Sequence, residues 1–239
     1  MTAAADIYEG RDPATFPNYT ASRAASLILA PVATVRAWAL GQNWKPTGGQ
    51  PRTFKAVIRI ADPDHGRLSF QNLVELHVLS ALTHKHRVRL TAVRSALRYL
   101  EGKLGSEHPL TDFQFQTDGS GVFIEKYGEL IDASKEGQLV LGDTLREYLS
   151  RVEWANGRVA RLFPFLSKKG LDDRSVVIDP RIQFGRPCLV GRRTTTDVLY
   201  DRWSAGEERE SLIEDFGVTS KELDSALRYE SNARLKEAA

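Results

Sequence analysis

The residues that could support catalysis or hold a metal are few in this chain of 239 residues. His84 and His86 have no carboxylate or thiol close by in sequence that would complete a metal site. Cys188 is the only cysteine, so neither an intramolecular disulfide nor a cysteine metal cluster can form. Asp62 and His65 belong to a polar segment that is typical of a turn. The sequence therefore predicts a protein that is not an enzyme and that requires no cofactor.

Arginine is the residue type that indicates a binding function. Arginines outnumber lysines by 23 to 10, and the guanidinium group is the better bidentate partner for phosphate and guanine. Seven basic side chains fall within fifteen residues without an acidic residue among them: His84, Lys85, His86, Arg87, Arg89, Arg94 and Arg98. This cluster fits contact with nucleic acid, and it equally fits a solvated helix face beside a basic loop.

The bulk composition predicts a folded chain that resides in the cytoplasm. The hydrophobic fraction of 41% is sufficient for a packed core. No apolar stretch approaches the length that a transmembrane helix requires, so we expect no association with a membrane. The first residues lack the basic and apolar regions of a secretory signal.

Two short helices are predicted near the N-terminus. The first covers residues 21–29, with Thr20 or Ser22 as its N-cap. The second begins at Pro31 and ends at Gly41, because proline is tolerated in the first turn of a helix and glycine commonly follows its end. The residues that would pack these helices against each other are Ala24, Ala25, Ile28, Val32, Val35 and Trp38.

The outward face of the second helix carries small and polar side chains. Small residues let a helix enter a DNA major groove, which is about 12 Å wide. Arg36 on this face could bind phosphate or a guanine edge, or it could form an ordinary surface ion pair. The start of the first helix would attract phosphate oxygens. The predicted DNA-binding residues of this module are Ser22, Arg23, Ala33, Thr34 and Arg36.

The middle of the chain is predicted to mix helices with small β elements. A strand is expected at residues 54–60, and amphipathic helices are expected at residues 68–82 and 91–104. Residues 113–124 alternate between apolar and polar side chains and contain an Asp-Gly pair, which predicts a β-hairpin. Whether that hairpin would contact DNA, contact a partner or only pack is left open by the sequence.

Residues 19–104 resemble the winged helix-turn-helix domain of MerR-type regulators. The resemblance rests on Tyr19, on the Ala-Ala pair at residues 24–25 and on the run T-V-R-A-W at residues 34–38. The two helices that follow resemble the second helical pair of that domain. The loop at residues 42–64 departs from the family pattern and would form an enlarged wing. The resemblance implies binding to operator DNA.

The C-terminal part is predicted to be a three-helix unit that follows a glycine- and proline-rich turn. Thr219 would cap the third helix, and Glu222 would complete a capping box. Lys221 and Arg228 would face away from the core on that helix, and we predict them as a second DNA-binding surface. The alternative is an ordinary solvated face, because neighbouring acidic residues would repel phosphate.

The string I-D-P-x-I-x-F-G-x-P-x-x-x-G-x-R at residues 178–193, followed by G-E-x-x-x-x-L, resembles a family of bacterial antitoxins. Almost the whole chain is similar to VapB-type antitoxins of that group, which occur beside PIN-like ribonuclease toxins. The order Arg-Thr at residues 193–194 departs from the family, which leaves the roles of Arg192 and Arg193 open. The resemblance implies a PIN-like ribonuclease toxin and operator DNA as partners, and we expect a homodimer.

The C-terminal tail is the predicted toxin-binding segment. A PIN-type site holds carboxylates around Mg²⁺, so a cationic side chain can block it electrostatically. Arg234 and Lys236 would supply such cations from an exposed extension at residues 231–239.

The predicted fold class is mainly α with small β elements. The predicted parts are an arm at residues 1–18, the MerR-like domain at 19–104, a middle region at 105–166, a linker at 167–173 and the C-terminal domain at 174–239. Two other functions remain open: a MerR-like transcriptional regulator without a toxin, and a module that binds only proteins. DNA affinity that falls with salt would argue against the second of these.

Overall fold

The computed structural model describes residue 8 and residues 10–44, 52–83, 90–112, 114–130, 135–164 and 174–237. The helices in these ranges are α1 (Ala21–Leu27), α2 (Val32–Leu40), α3 (Phe70–Thr83), α4 (Leu90–Leu104), α5 (Ser120–Leu130), α6 (Lys135–Leu149), α7 (Thr196–Ser204), α8 (Arg209–Phe216) and α9 (Ser220–Glu237). The strands are β1 (Gln42–Trp44), β2 (Arg52–Phe54), β3 (Val152–Ala155), β4 (Arg158–Leu162), β5 (Val176–Val177) and β6 (Cys188–Leu189), which form three antiparallel pairs in that order. The prediction of a mainly helical chain with small β elements is confirmed. None of the helices described is long and apolar enough to cross a membrane.

The central helix of the larger hydrophobic core is α3, which the sequence predicts at residues 68–82 as an amphipathic helix. The structure buries its polar side chains as well as its apolar ones. The side-chain amide of Asn72 donates to Glu75 Oε2 at 2.9 Å, and His77 Nε2 lies 3.1 Å from the carbonyl oxygen of Tyr148. Burial lowers the pKa of His77 to about 4, so this ring is neutral at physiological pH.

The β-hairpin predicted at residues 113–124 is wrong. Residues 115–119 form a π-helical turn that leads directly into α5, while residue 113 lies outside the described ranges. Phe115, Phe123 and Tyr127 are buried at helical spacing, and the rings of Phe123 and Tyr127 stack with centroids 5.9 Å apart. Gly119 allows close packing, because a Cβ there would meet Phe115 and Leu104 at 3.3 and 3.4 Å. The aromatic residues therefore follow the period of a helix, and the Asp-Gly pair is not a turn.

A second, smaller hydrophobic cluster lies in the C-terminal part, around α7, α8 and α9. Its buried residues are Val176, Leu189, Leu199, Leu212, Val218, Leu223, Ala226, Leu227 and Tyr229. The predicted capping box is confirmed, since Thr219 N–H donates to Glu222 Oε2 at 2.7 Å and Glu222 N–H donates to Thr219 Oγ1 at 3.2 Å. Gly217 ends α8 in the left-handed conformation, with φ of 59°.

The two ends of the chain are joined at a left-handed turn of residues 183–185, within the I-D-P-x-I-x-F-G motif. Gln183, Phe184 and Gly185 have φ angles of 47°, 55° and 68°. Asn18 donates a side-chain hydrogen bond to the carbonyl oxygen of Phe184, and Tyr19 Oη donates to that of Gly185 at 3.0 Å. The motif therefore holds the segment that precedes α1.

Asp179 anchors the same turn from inside. Its side chain is 1% exposed and accepts hydrogen bonds from Arg181 Nε at 2.9 Å and from Arg161 Nε at 3.1 Å. Burial alone would raise the pKa of Asp179, but these hydrogen bonds outweigh it and hold the pKa below its ordinary value. The carboxylate is therefore ionised and ties the turn to β4.

Substitution of Gly185 by alanine should break the contact between the turn of residues 183–185 and the segment before α1. A Cβ at Gly185 would collide with the Tyr19 hydroxyl, and the positive φ adds backbone strain. We expect Gly185→Ala to lower the free energy of unfolding by more than about 3 kcal/mol, measured by urea denaturation. Gly191→Ala is the matched control, because its φ of +75° is similar and no atom lies within 4 Å of its Cβ position. The control should lose only about 1–2 kcal/mol, and equal losses in both variants would contradict the prediction.

Candidate nucleic-acid interface

The helical hairpin predicted near the N-terminus is present as α1 and α2. Thr20 caps α1, since its Oγ1 accepts a hydrogen bond from Arg23 N–H at 3.1 Å. Pro31 occupies the N-cap of α2, one position earlier than predicted, and Gly41 follows the helix with φ of 75°. The prediction that Trp38 packs in the core is confirmed, because only 3% of it is exposed.

The outer surface of α2 combines small side chains with one cation. Ala33 and Arg36 are exposed, and Thr34 is half-buried. Arg36 Nη2 donates to Ser22 Oγ at 3.3 Å, which joins α2 to the start of α1. Of the predicted DNA-binding residues, Ser22 and Arg36 are thus brought into contact. The hydroxyl orients the guanidinium without neutralising its charge, so Arg36 keeps its capacity to bind an anion.

The β1–β2 pair follows α2 at once and is held against it. A Cβ at Gly41 would lie 2.5 Å from the carbonyl oxygen of Phe54, so glycine is needed where α2 meets β2. Val57 N–H donates to the carbonyl oxygen of Trp38 at 2.7 Å. The strand predicted at residues 54–60 is wrong, because β2 ends at Phe54 and the chain then turns back onto α2. The β1–β2 pair therefore has a fixed position beside α2.

Arg23 occupies a different environment from Ser22 and Arg36. It is half-buried beside α9, which packs against α1. Burial raises the pKa of Glu230 on α9, and the hydrogen bond from Thr196 and the nearby charge of Arg23 oppose that rise. Arg23 therefore lies where α1 meets the C-terminal part of the chain. The sequence did not indicate this environment.

Lys221 and Arg228 are exposed and lie seven residues apart on α9, so they share one face of that helix. Among the described residues, no hydrogen bond or ion pair links either of them to α1 or α2.

The predicted tail at residues 231–239 is largely helical, because α9 continues to Glu237. Arg234 Nη2 donates to Asp201 Oδ1 at 2.6 Å, and its guanidinium lies 4.5 Å from the centroid of the Tyr200 ring. Lys236 is half-buried on the last turn. The expected exposed extension is thus an ordered helix end whose arginine is already paired.

The basic cluster at residues 84–98 is described only at Arg94 and Arg98, since residues 84–89 lie outside the described ranges. Arg98 is exposed on α4. Arg94 Nε and Nη2 are buried, and neither nitrogen has a hydrogen-bond partner in the described part of the chain. Buried N–H donors without acceptors are costly, so an acceptor or anion at these two nitrogens would stabilise Arg94.

A groove of about 800 Å³ lies between the end of α2, the segment after β2 and the start of α3. Its apolar wall includes Leu40 and Ile58, and its polar wall includes Arg59 and His108. His108 Nδ1 lies 3.1 Å from Glu75 Oε1, whose side chain is 3% exposed. This groove could not be predicted from the sequence, because its lining comes from segments far apart in the chain.

The histidines and carboxylates named for possible chemistry form no larger cluster in the described ranges: His65 Nδ1 lies 2.9 Å from Asp62 Oδ2, and His84 and His86 lie outside those ranges. Cys188 is buried, and burial raises its pKa to about 11, so the thiol is protonated. In the part of the chain that the structure describes, no three His, Cys, Asp or Glu side chains are close enough to hold a metal ion together.

Residues 176–229 match a family described as "Protein of unknown function (DUF433)". The chain is 29% identical over 231 residues to the Mycobacterium tuberculosis protein named "Putative antitoxin VapB45", which covers 88% of this chain and 92% of that protein.

A second relative and one solved structure cover similar lengths. "Uncharacterized protein Rv2308" of Mycobacterium tuberculosis is 24% identical over 232 residues, with 91% of both chains covered. The crystal structure of Rv2018 from Mycobacterium tuberculosis superposes with a TM-score of 0.64, at 23% identity, covering 89% of this chain and 97% of that one. This likeness concerns the fold alone.

The pair of His108 and Glu75 should make stability depend on pH. The hydrogen bond with Glu75 raises the pKa of His108, against the opposing effect of burial. A pKa that is raised in the folded state stabilises the fold. This contribution is complete at a pH below the unfolded-state pKa of about 6.5, and it is lost as the pH rises through the folded-state pKa. The difference in unfolding free energy between wild type and His108→Gln should therefore shrink between pH 6 and 9. Glu75→Gln should show the same trend, and a constant difference across this range would contradict the prediction.

Proposed function

We propose that this chain is the antitoxin of a type II toxin–antitoxin pair. It binds a PIN-like ribonuclease toxin directly and represses its own operon through a MerR-like DNA-binding surface formed by α1, α2 and the β1–β2 hairpin. The observation that carries the DNA-binding part is the exposed face of α2, where Arg36 is oriented by Ser22 between small residues. The similarity to a protein named as an antitoxin supports the toxin-binding part.

DNA binding is proposed to place α2 in the major groove. Ala33 and Thr34 let the helix approach the bases, and Arg36 reads a guanine edge or holds a phosphate. Arg23, Lys221 and Arg228 supply backbone contacts whose contribution to affinity falls with salt. A homodimer would present two such helices to half-sites about one helical turn apart.

Toxin binding is proposed to involve the end of α9. Arg234 and Lys236 are cations that could approach the carboxylates of a PIN-type site. Arg234 would exchange its ion pair with Asp201 for one with the toxin. Because such exposed ion pairs contribute little, the exchange costs little.

A transcriptional regulator without a toxin is a second candidate, and the groove beside α2 favours it. A volume of about 800 Å³ falls within the range of small-molecule sites. A ligand between Leu40 and Ile58 would contact both α2 and the segment that anchors β2. Such a regulator would respond to a small molecule instead of a protein.

Co-expression with the product of the adjacent reading frame separates the two candidates. A stable complex that relieves growth arrest is expected for the antitoxin. A lack of both binding and rescue would favour the regulator, and operator footprinting with small-molecule screening would follow.

Arg36→Ala should weaken operator binding by about 5- to 150-fold, since one base-reading arginine contributes about 1–3 kcal/mol. It should also relax sequence preference at one position of each half-site. The measurement is a fluorescence-anisotropy titration at fixed salt with the operator and with a scrambled duplex. Arg146→Ala is the matched control, because Arg146 is an exposed arginine on α6 that pairs with Asp143. If Arg36→Ala and the control bind the operator equally well, α2 is not the reading helix.

A further inference from the structure

An aromatic surface lies where α7 meets the end of α9. Trp203 is 41% exposed, and its ring packs edge-to-face on Tyr200 with centroids 5.7 Å apart. Arg234 covers the Tyr200 ring, and the neighbouring Leu235 is 66% exposed. We call Tyr200, Trp203, Arg234 and Leu235 the aromatic patch. Tryptophan, tyrosine and arginine are the side chains that most often dominate the energy of protein interfaces.

The charge around this patch restricts what can cover it. Residues 197–216 contain seven acidic residues and two arginines, whereas the chain as a whole has a net charge of +2. Arg202, next to Trp203, is already bound to Glu207 at 2.6 Å and to Asp215 at 2.6 Å. The segment that carries Tyr200 and Trp203 is therefore acidic in a chain that is otherwise basic.

Two glutamates of α8 leave much of this negative charge unbalanced. Glu210 and Glu214 are exposed and lie one helical turn apart. Within the residues that the structure describes, neither side chain forms a hydrogen bond or an ion pair. Exposed carboxylates without partners are available to cations on another molecule.

Two of the conceivable occupants are disfavoured by this charge. DNA is excluded because its phosphates would face carboxylates. A second copy of the chain is disfavoured because a twofold interface places the same patch on both subunits, so acidic residues would meet acidic residues. What remains is a different protein, with a basic surface that surrounds an apolar pocket for Trp203.

We propose that the aromatic patch is the docking site for the toxin, and that the toxin presents a basic surface to the acidic residues of α8. This proposal rests on the proposed antitoxin function. The surface is preformed in the free protein, where Arg234 pairs with Asp201 and lies over the Tyr200 ring. A preformed surface loses little conformational entropy on binding.

The test measures binding of the full-length chain to the purified product of the adjacent reading frame by isothermal titration calorimetry. Trp203→Ala should weaken binding about tenfold or more. The double reversal Glu210→Lys/Glu214→Lys should have a similar effect and should reduce the salt dependence of affinity. Its control is Glu125→Lys/Glu147→Lys, which makes the same change in net charge at exposed positions of α5 and α6. The control should bind as wild type does.

The possible outcomes separate this proposal from the antitoxin function. If wild type binds and both patch variants bind equally well, the toxin docks elsewhere and only this proposal is overturned. If wild type does not bind, the antitoxin function itself is overturned. Light scattering on the free protein completes the test, because a drop in mass for Trp203→Ala would identify the patch as a contact between copies and overturn the proposal.

Discussion

Hydrogen bonds to the carbonyl oxygens of one left-handed turn hold the two ends of this chain together. Asn18 and Tyr19, just before α1, donate to the carbonyls of Phe184 and Gly185. The turn can offer these oxygens only because three successive residues adopt positive φ angles, two of them non-glycine. Such a conformation is unfavourable by itself, so it persists where buried contacts such as those of Asp179 fix it. The orientation of α1 relative to α9 depends on this joint.

The turn at residues 183–185 joins two parts of the chain whose surfaces carry opposite charge. The exposed side of α2 carries a cation among small residues, which is the composition expected of a surface that binds a polyanion. The surface of α7 and α8 carries aromatic rings and carboxylates, which is the composition expected of a surface that binds a basic protein. Because α1 packs between α2 and α9, a change at one surface has a short packed path to the other.

Local signals in the sequence predicted the parts that depend on local physics. The caps at Thr20 and Thr219 and the end of α2 at Gly41 follow from side-chain hydrogen bonds and backbone sterics within a few residues. The prediction of a β-hairpin at residues 113–124 was wrong. A short stretch in which apolar and polar residues alternate can equally be part of a helical repeat. Tertiary packing of Phe115 and Phe123 decided that segment.

The candidate site was predictable in part for the same reason. The outward position of Arg36 follows from helical periodicity, whereas its contact with Ser22 depends on how two helices cross. The environment of Arg23 and the groove at His108 depend on elements far apart in sequence. The aromatic patch was not predicted, because the same spacing of Tyr200 and Trp203 also fits a buried helix face. Exposure of an aromatic ring is a property of the assembled fold.

The hydrogen bond from Tyr229 Oη to the carbonyl oxygen of Leu27 spans 202 residues and has a consequence during synthesis. A ribosome that adds about 5–20 residues per second needs roughly 10–40 s to cover that distance. During this interval α1 has no α9 to pack against. The nascent chain completes the packing of α1 only after α9 has been made. Products that end before Tyr229 would therefore lack this contact although they contain every residue of α1 and α2.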